Sequence, residues 1–515
     1  MNLKLKTINS YAVILAAGVG SRLKEITSVM PKSLIKVCGR SILDYQIAGY
    51  KRIGIPESNI IIITGYMAEK IVSFSAVNYP EVVLINSPDY QTTNNMYSLY
   101  IAFQYLEKKT GLNFDTLFIN NADCLYDENL MLEFAGSSFD NAIATEIGEY
   151  IDESMKIHVD KNGKIKDISK KIPQMDSVGV SVDLYKYSNV ASKELFKITK
   201  EFIEVKKDLK QWTEVAFPQL FSIVDVFPFD INHKKWVEVD TEEDLLLADM
   251  KFSSICLKDK KAFICDLDGT LFVGNKGIQE SINFVNKNMK NYDFYFLTNN
   301  TSCVPSHYVK KLAEIGLPVN EEQIHTPLYP LIDYIKEKKY TSVYMVATED
   351  VLLFMQKRLP NVSLLFDEDK NEAVVLSYDK ELTYKKLENM SFLLNTKPNI
   401  DYVATHIDVV CPTEYGNIPD IGSMINMISL STSREPNMSF GKPNKQFVDS
   451  IIENYGKASC VIAGDRIYTD GLLAKNVGVD FICVLSGETK RIDLALYNDG
   501  GENILIVKNL GMLTE

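Results

Sequence analysis

The sequence predicts an α/β protein of at least two domains, and three observations carry that expectation. Its 515 residues exceed one ordinary domain of about 100–200 residues. Short, continuous apolar runs recur along the chain: YAVILAA (11–17), NIIIITGY (59–66), DTLFINNAD (115–123), AFICDLD (262–268), DFYFLTNN (293–300), SVYMVATED (342–350), EAVVLSYD (372–379) and ASCVIAGD (458–465). Segments with helical patterning separate them, such as 42–53 and 96–108. Runs that lack alternation suit parallel strands buried on both faces, so both halves read as Rossmann-like three-layer α/β/α domains.

In such sheets ligands sit beyond the carboxyl ends of the strands, and here the runs end in Gly18, Asp123, Asp266, Thr298 and Asp465. A helical stretch, EEDLLLADMKFSS (242–254), precedes the charged KDKK at 258–261, after which a fresh strand starts. The expected boundaries are therefore a first domain over 1–255, a linker over 256–260 and a second domain over 261–515.

Composition narrows the function classes. Hydrophobic residues at 46% and charged residues at 24% are ordinary globular values, so disorder is not expected. A net charge of −13 argues against nucleic-acid or anionic-membrane surfaces, because phosphate backbones select basic patches. The expected partners are small molecules, and the sequence leaves homo-oligomerisation open. Eight scattered cysteines without a CxxC pair read as reduced thiols. The N-terminal apolar run fits neither a signal peptide nor a membrane span, and the expectation is a cytoplasmic protein.

The stretch VILAAGVGSRLKEITSVMPKSL (13–34) follows the first strand with a small-residue loop and then cations. Glycines at 18 and 20 let backbone N–H groups approach phosphate oxygens. The loop is not a dinucleotide fingerprint, since position 23 is Leu, and no GK[ST] makes it a P-loop. The complete string L-A-A-G-x-G-S-R-L…P-K-S-L resembles the signature of the sugar-nucleotidyltransferase superfamily. The likeness spans 11 to about 250 and is closest to the choline-phosphate cytidylyltransferases, supported by TGYMAEKI (64–71), INSPDYQTTNNMYSLYIA (85–102) and WVEVDTEEDL (236–245).

This resemblance implies that Ala17, Gly18, Gly20 and Arg22 hold the triphosphate of CTP, that Lys32 binds phosphate at the reacting centre, and that Asp123 and Asp240 hold Mg²⁺. It implies in-line attack of a phospho-alcohol on the α-phosphorus with loss of pyrophosphate. Tyr90, Asn95, Tyr97 and Trp212 are the candidates for the acceptor pocket. Each residue has a plainer reading beside it: Asp123 and Asp240 as helix caps, Arg22 and Lys32 as surface cations, the other four as packing. Phosphocholine is the first expectation for the acceptor. A polyol phosphate held by the pair Asn94 and Asn95 is the second, and a sugar 1-phosphate transferase with a silent second half is a third.

In KKAFICDLDGTLFVGN (260–275), Asp266 and Asp268 lie on one side of a strand. At ~5 Å and an effective dielectric of ~20 two carboxylates repel by roughly 3 kcal/mol, so a cation or a shared proton is required. FLTNNTS (296–302), FGKPNKQF (440–447) and IAGDRIYTDGLLAKNVGV (462–479) follow in order. Together these resemble the haloacid-dehalogenase-like phosphatases, and CDLDGTLFVGN with CPTEYGNIPDIGSMI (411–425) resembles their NagD-like, 4-nitrophenylphosphatase-type branch.

The resemblance implies Asp266 as nucleophile, Asp268 as proton donor and then base, and Thr298 and Lys442 on the phosphoryl oxygens. Asp465 with Asp266 would ligate Mg²⁺, Asp470 would support that site, and Asp268 counts with the same metal group. The 143 residues between Thr298 and Lys442 are too many for a loop and predict an inserted α/β cap over roughly 325–430. THIDVV (405–410) departs from the Asn-Pro-Asp often found there. The second half could serve the same CDP-alcohol route, leading to a cell-surface glycan, or hydrolyse unrelated metabolites.

Overall fold

A computed structural model describes residues 9–413, 416–496 and 504–513. Residues 1–8, and Glu414 and Tyr415 of the CPTEYGNIPDIGSMI motif, lie outside the described residues. The chain divides into two compact units, one built from 1–252 with 491–502 and the other from 253–490 with 503–515. Of the residues assigned above to the second domain, 491–496 thus cluster with the first unit. There Arg491 donates to the buried Asp249, whose other carboxylate oxygen accepts from the Cys38 N–H at 2.7 Å.

The first unit is built on a nine-stranded sheet. Its strands are β1 (Tyr11–Ala16), β2 (Ile60–Thr64), β3 (Val83–Asn86), β4 (Thr116–Asn121), β6 (Ala142–Ile147), β7 (Lys156–Val159), β8 (Ile165–Ser169), β9 (Gly179–Ser188) and β10 (Phe227–Asp230), while β5 (Cys124–Tyr126) and β11 (Trp236–Glu238) form a separate pair. The order is β8-β7-β9-β4-β1-β2-β3, with β6 on β9 and β10 on β6. The half containing β3, β2, β1 and β4 is parallel, as the unbroken apolar runs require. The other half is not: β9 runs antiparallel to β4, β6 and β7. That departs from the all-parallel expectation, because 142–188 is short strands joined by tight connections with no crossover helix between them. Apolar clusters cover both faces of the sheet, giving the three layers.

The second unit carries a six-stranded sheet of β12 (Ala262–Asp266), β13 (Asp293–Leu297), β14 (Ile324–His325), β19 (Cys460–Gly464), β20 (Asp480–Val484) and β21 (Ile504–Val507), all parallel, in the order β14-β13-β12-β19-β20-β21. Between β14 and β19 the chain builds a parallel four-stranded sheet, β15 (Val343–Val346), β16 (Ala373–Leu376), β17 (Asp401–Ala404) and β18 (Met438–Ser439), with its own two apolar clusters. This is an inserted α/β layer with a core of its own. No helix among the described residues is long and apolar enough to cross a membrane, and none of the eight cysteines is in a disulfide among the described residues.

Candidate active sites

In the first unit, β1 is fully buried and ends at Ala16. Gly18 and Gly20 follow, Gly20 at φ +68° with the Lys32 and Thr27 side chains about 3.1 Å from where a Cβ would stand. A side chain there would push into Lys32, so this glycine is required by both conformation and space.

Lys32 donates to Asp123 Oδ2 at 2.8 Å and to Asp240 Oδ1 at 2.6 Å, and Arg22 reaches the other Asp240 oxygen at 2.5 Å. Burial works against the Lys32 charge, but the two carboxylates more than offset it and hold its pKa above the ordinary lysine value. Asp240 is likewise half-buried, yet Lys32 and Arg22 keep it below the ordinary carboxylate range.

The plainer capping roles fall away. The helix after Asp123 begins at Glu128 and is capped by Asp127, and the one after Asp240 is held by Thr241 and Asp244, whose side chains bond each other's backbone N–H. The sequence reading missed Glu238. It gathers with Asp123 and Asp240 so that one oxygen of each lies within 4.8 Å of the others, a donor set suited to Mg²⁺. Its only sequence signal was the E-x-D spacing. Burial and the nearby Asp183, Asp123 and Asp240 push it up to about 8.

Two adjoining cavities of about 420 and 330 Å³ open from this point. The first is lined by Gly18, Gly20, Arg22, Lys32, Asp123 and Asp240. The second extends past Tyr90 and Trp212 to three more carboxylates, Glu153, Asp183 and Glu214. Asp183 occupies a left-handed conformation (φ +57°) where the β9 register shifts, a bulge that re-aims its side chain. Burial pushes Asp183 up to about 6 and Glu214 to about 7.

Ala17 and Asn95 also line the second cavity, but Asn95 is spent internally: its Oδ1 accepts from the Thr213 N–H at 2.9 Å. Asn94 caps the helix Asn95–Thr110. Tyr97 is not part of the lining; its ring packs on the core and its hydroxyl donates to Asp89 at 3.3 Å. The face of Trp212 already holds a cation, Lys170 Nζ standing 5.2 Å from its ring centroid.

In the second unit, β12 delivers Asp266 to the sheet end, where it is buried. Lys442 donates to Asp266 and forms an ion pair with Asp470 Oδ1 at 2.7 Å. Oxygens of Asp266, Asp465 and Asp470 lie within 4.8 Å of one another, all three residues buried. Asp465 Oδ1 has no hydrogen-bond partner, and a Cβ on Gly269 or Gly487 would come within 2.3 Å of the Asp465 carboxylate. A buried, unsatisfied carboxylate oxygen in a space kept open by glycine fits a divalent cation. Asp268, counted above with the metal group, is not in this cluster; it opens to solvent. Surrounding protein raises its pKa against the pull of Lys311 and Arg466, which suits a group that must carry a proton.

Thr298 is buried at the end of β13, and its hydroxyl accepts from the Asn300 N–H. Asn299, not singled out by sequence, clamps the Lys442 peptide from both sides: Oδ1 accepts from its N–H at 2.8 Å and Nδ2 donates to its carbonyl at 3.1 Å. The same Nδ2 donates to Asp408, in the departing THIDVV stretch, and Asp408 also receives Arg466 at 3.3 Å. His406, in the same stretch, is fully buried with its Nε2 2.9 Å from Asp420.

The comparisons with known proteins divide at the same place. A nucleotidyl transferase family model matches residues 11–253, a haloacid dehalogenase-like hydrolase model residues 263–358, and a HAD-hydrolase-like model residues 439–512. An acid sugar phosphatase of Staphylococcus aureus is 30% identical over 247 residues, 47% of this chain and 93% of the relative. The chain belongs to the haloacid dehalogenase-like hydrolases. A 5'-nucleotidase of Bacillus subtilis is 29% identical over 46% of this chain and 91% of its own length. The solved 4-nitrophenylphosphatase of Thermotoga maritima shares 34% identity over 50% of this chain and 97% of its own, at a TM-score of 0.46. These relatives account for the second half alone. The protein is therefore a nucleotidyltransferase domain fused to a haloacid dehalogenase-like phosphatase domain, carrying transferase and hydrolase activity.

Proposed function

We propose that the first half is a CTP-dependent cytidylyltransferase that loads phosphocholine, or a closely related amino-alcohol phosphate, and releases pyrophosphate. One observation carries the choice of acceptor: beyond the phosphate loop the cavity is walled by Trp212, Tyr90 and the carboxylates Asp183, Glu214 and Glu153, against Lys170, which an incoming ammonium would displace from the Trp212 ring. Aromatic faces and negative charge suit a quaternary ammonium. The rival polyol reading relied on the Asn pair, whose side chains are committed to the backbone at Thr213 and to the helix cap. The choice of CTP rests on the signature string.

In this reading Gly18, Gly20 and Arg22 seat the triphosphate, and Lys32 turns from its carboxylates to the phosphate oxygens. Mg²⁺ held by Asp123, Asp240 and Glu238 would neutralise charge on the phosphates. The acceptor's phosphate oxygen attacks the α-phosphorus in line, and the bond to the bridging oxygen of pyrophosphate breaks.

In the second half Asp266 attacks the phosphorus of a phosphate monoester, the ester P–O bond breaks, and Asp268 gives its proton to the leaving alcohol. Asp268 then takes a proton from the water that opens the aspartyl phosphate. Lys442 and Thr298 hold the phosphoryl oxygens. Mg²⁺ held by Asp266, Asp465 and Asp470 would supply the charge that lets one anion approach another. Pyrophosphate release across four nucleotides and a panel of phospho-alcohols tests the first half. At least tenfold higher kcat/KM for a polyol phosphate rejects choline, and preference for a sugar 1-phosphate with UTP or dTTP rejects the cytidylyltransferase itself.

A further inference from the structure

The mouth of the phosphatase site holds more positive charge than phosphoryl binding needs. Four cations act on Asp268: Lys311, Arg466, Lys442 and Lys380. Two are already balanced. Lys442 bridges Asp266 and Asp470, and Arg466 pairs with Asp408 and, at 2.8 Å, with Glu488. The other two are not: among the described residues neither Lys311 nor Lys380 has a carboxylate oxygen within 4 Å.

Both are fixed near the reacting atoms by packing. Lys311 lies over the Phe272 ring, its Nζ 3.7 Å from the centroid, and Phe272 forms a β-bridge with Asp268 while its carbonyl accepts from the Gly269 N–H at 2.7 Å. Lys380 comes from the inserted layer, just past β16. Its neighbour Tyr378 donates its N–H to Thr301 Oγ1 at 3.1 Å, which ties that strand end to the loop following Thr298. Lys380 Nζ stands 5.3 Å from the Tyr378 ring centroid. Burial, with repulsion from Lys380, holds Lys311 below its ordinary pKa against the pull of Asp268. Two ammonium groups that act on one carboxyl, Asp268, and have no other carboxylate partner form a site that a further anion would stabilise.

We propose that Lys311 and Lys380 form a second anion subsite beside Asp268, so that the preferred substrate is a phosphate monoester whose alcohol carries a carboxylate or a second phosphate. This rests on the phosphatase reading above. Asp268 protonates the leaving oxygen, so the groups around it face the leaving alcohol and not the transferred phosphoryl group. A trimethylammonium group carries the wrong sign for this position. Phosphocholine is then a poor substrate of the second half, and the two halves act on different phosphate esters.

The test uses the full chain in Mg²⁺ buffer with a matched pair, 3-phosphoglycerate and glycerol 3-phosphate, which differ in one carboxylate, and with 4-nitrophenyl phosphate as reference. The expected kcat/KM is at least tenfold higher for 3-phosphoglycerate, with the ratio falling as salt is raised. Lys380→Glu, at an exposed position, should raise KM for 3-phosphoglycerate at least tenfold more than KM for 4-nitrophenyl phosphate, and Lys311→Met should act in the same direction. Parity of the two esters in the unmodified protein overturns the subsite, as does a ratio that neither variant changes. Absence of turnover on all three esters sinks the phosphatase reading, and the subsite with it.

Discussion

The two halves solve one electrostatic problem with opposite surroundings. In each, a lysine bridges two aspartates at the end of a parallel strand: Lys32 between Asp123 and Asp240, Lys442 between Asp266 and Asp470. Beyond that shared centre they diverge. The first cavity continues into carboxylates and aromatic rings, whereas beside the second centre Lys311 and Lys380 act on Asp268. A common way of handling phosphate therefore says little about the rest of the substrate, which is selected by the groups a few ångströms farther out.

The largest expected effect separates the two chemistries. Asp266→Asn removes the nucleophile and should lower phosphatase turnover by on the order of 10⁴-fold, leaving pyrophosphate release unchanged. Loss of both activities in a folded protein breaks the comparison at its root. Next, Asp123→Ala or Asp240→Ala should lower nucleotidyl transfer by about 10³-fold while 4-nitrophenyl phosphate hydrolysis persists, because the proposed metal sites share no carboxylate. Normal transfer in either variant removes that aspartate from the metal set.

Trp212→Ala sharpens the acceptor side. Losing a cation–π contact of ~1–2 kcal/mol should raise KM for phosphocholine about 10-fold, with KM for CTP moving far less. Equal rises in both would make Trp212 a wall of the nucleotide site. The smallest effect is in pH. Asp183 and Glu214 are raised to about 6 and 7, so they gain negative charge as pH climbs from 6 to 8. KM for phosphocholine should therefore fall about fivefold over that range, and Glu214→Gln should flatten the profile. A KM that rises with pH in the unmodified protein contradicts a cationic acceptor group.

Much of this was legible in the sequence because strand-end chemistry is local. Buried parallel strands need continuous apolar runs, and the residue that follows such a run is delivered to the ligand edge whatever the helices do. Asp123, Asp266 and Asp465 could be found that way, as could the glycines of the phosphate loop. The insertion between Thr298 and Lys442 followed from length alone, since so long a segment must fold on a core of its own.

What only the tertiary structure decided is who meets whom across distant segments. Glu238 joins Asp123 because β5 and β11 pair antiparallel, a contact that no local pattern announces. Asp183 enters the 330 Å³ cavity through a bulge within a long strand, and Tyr97 stays out of its lining because the Asn95–Thr110 helix turns that ring toward the core. Asn299 finds the Lys442 backbone 143 positions farther along the chain. The charge beyond each bridging lysine is likewise assembled from segments far apart in sequence. Period and composition specify which face of an element is buried, but selectivity depends on side chains brought within a few ångströms by packing, and that information resides in the fold.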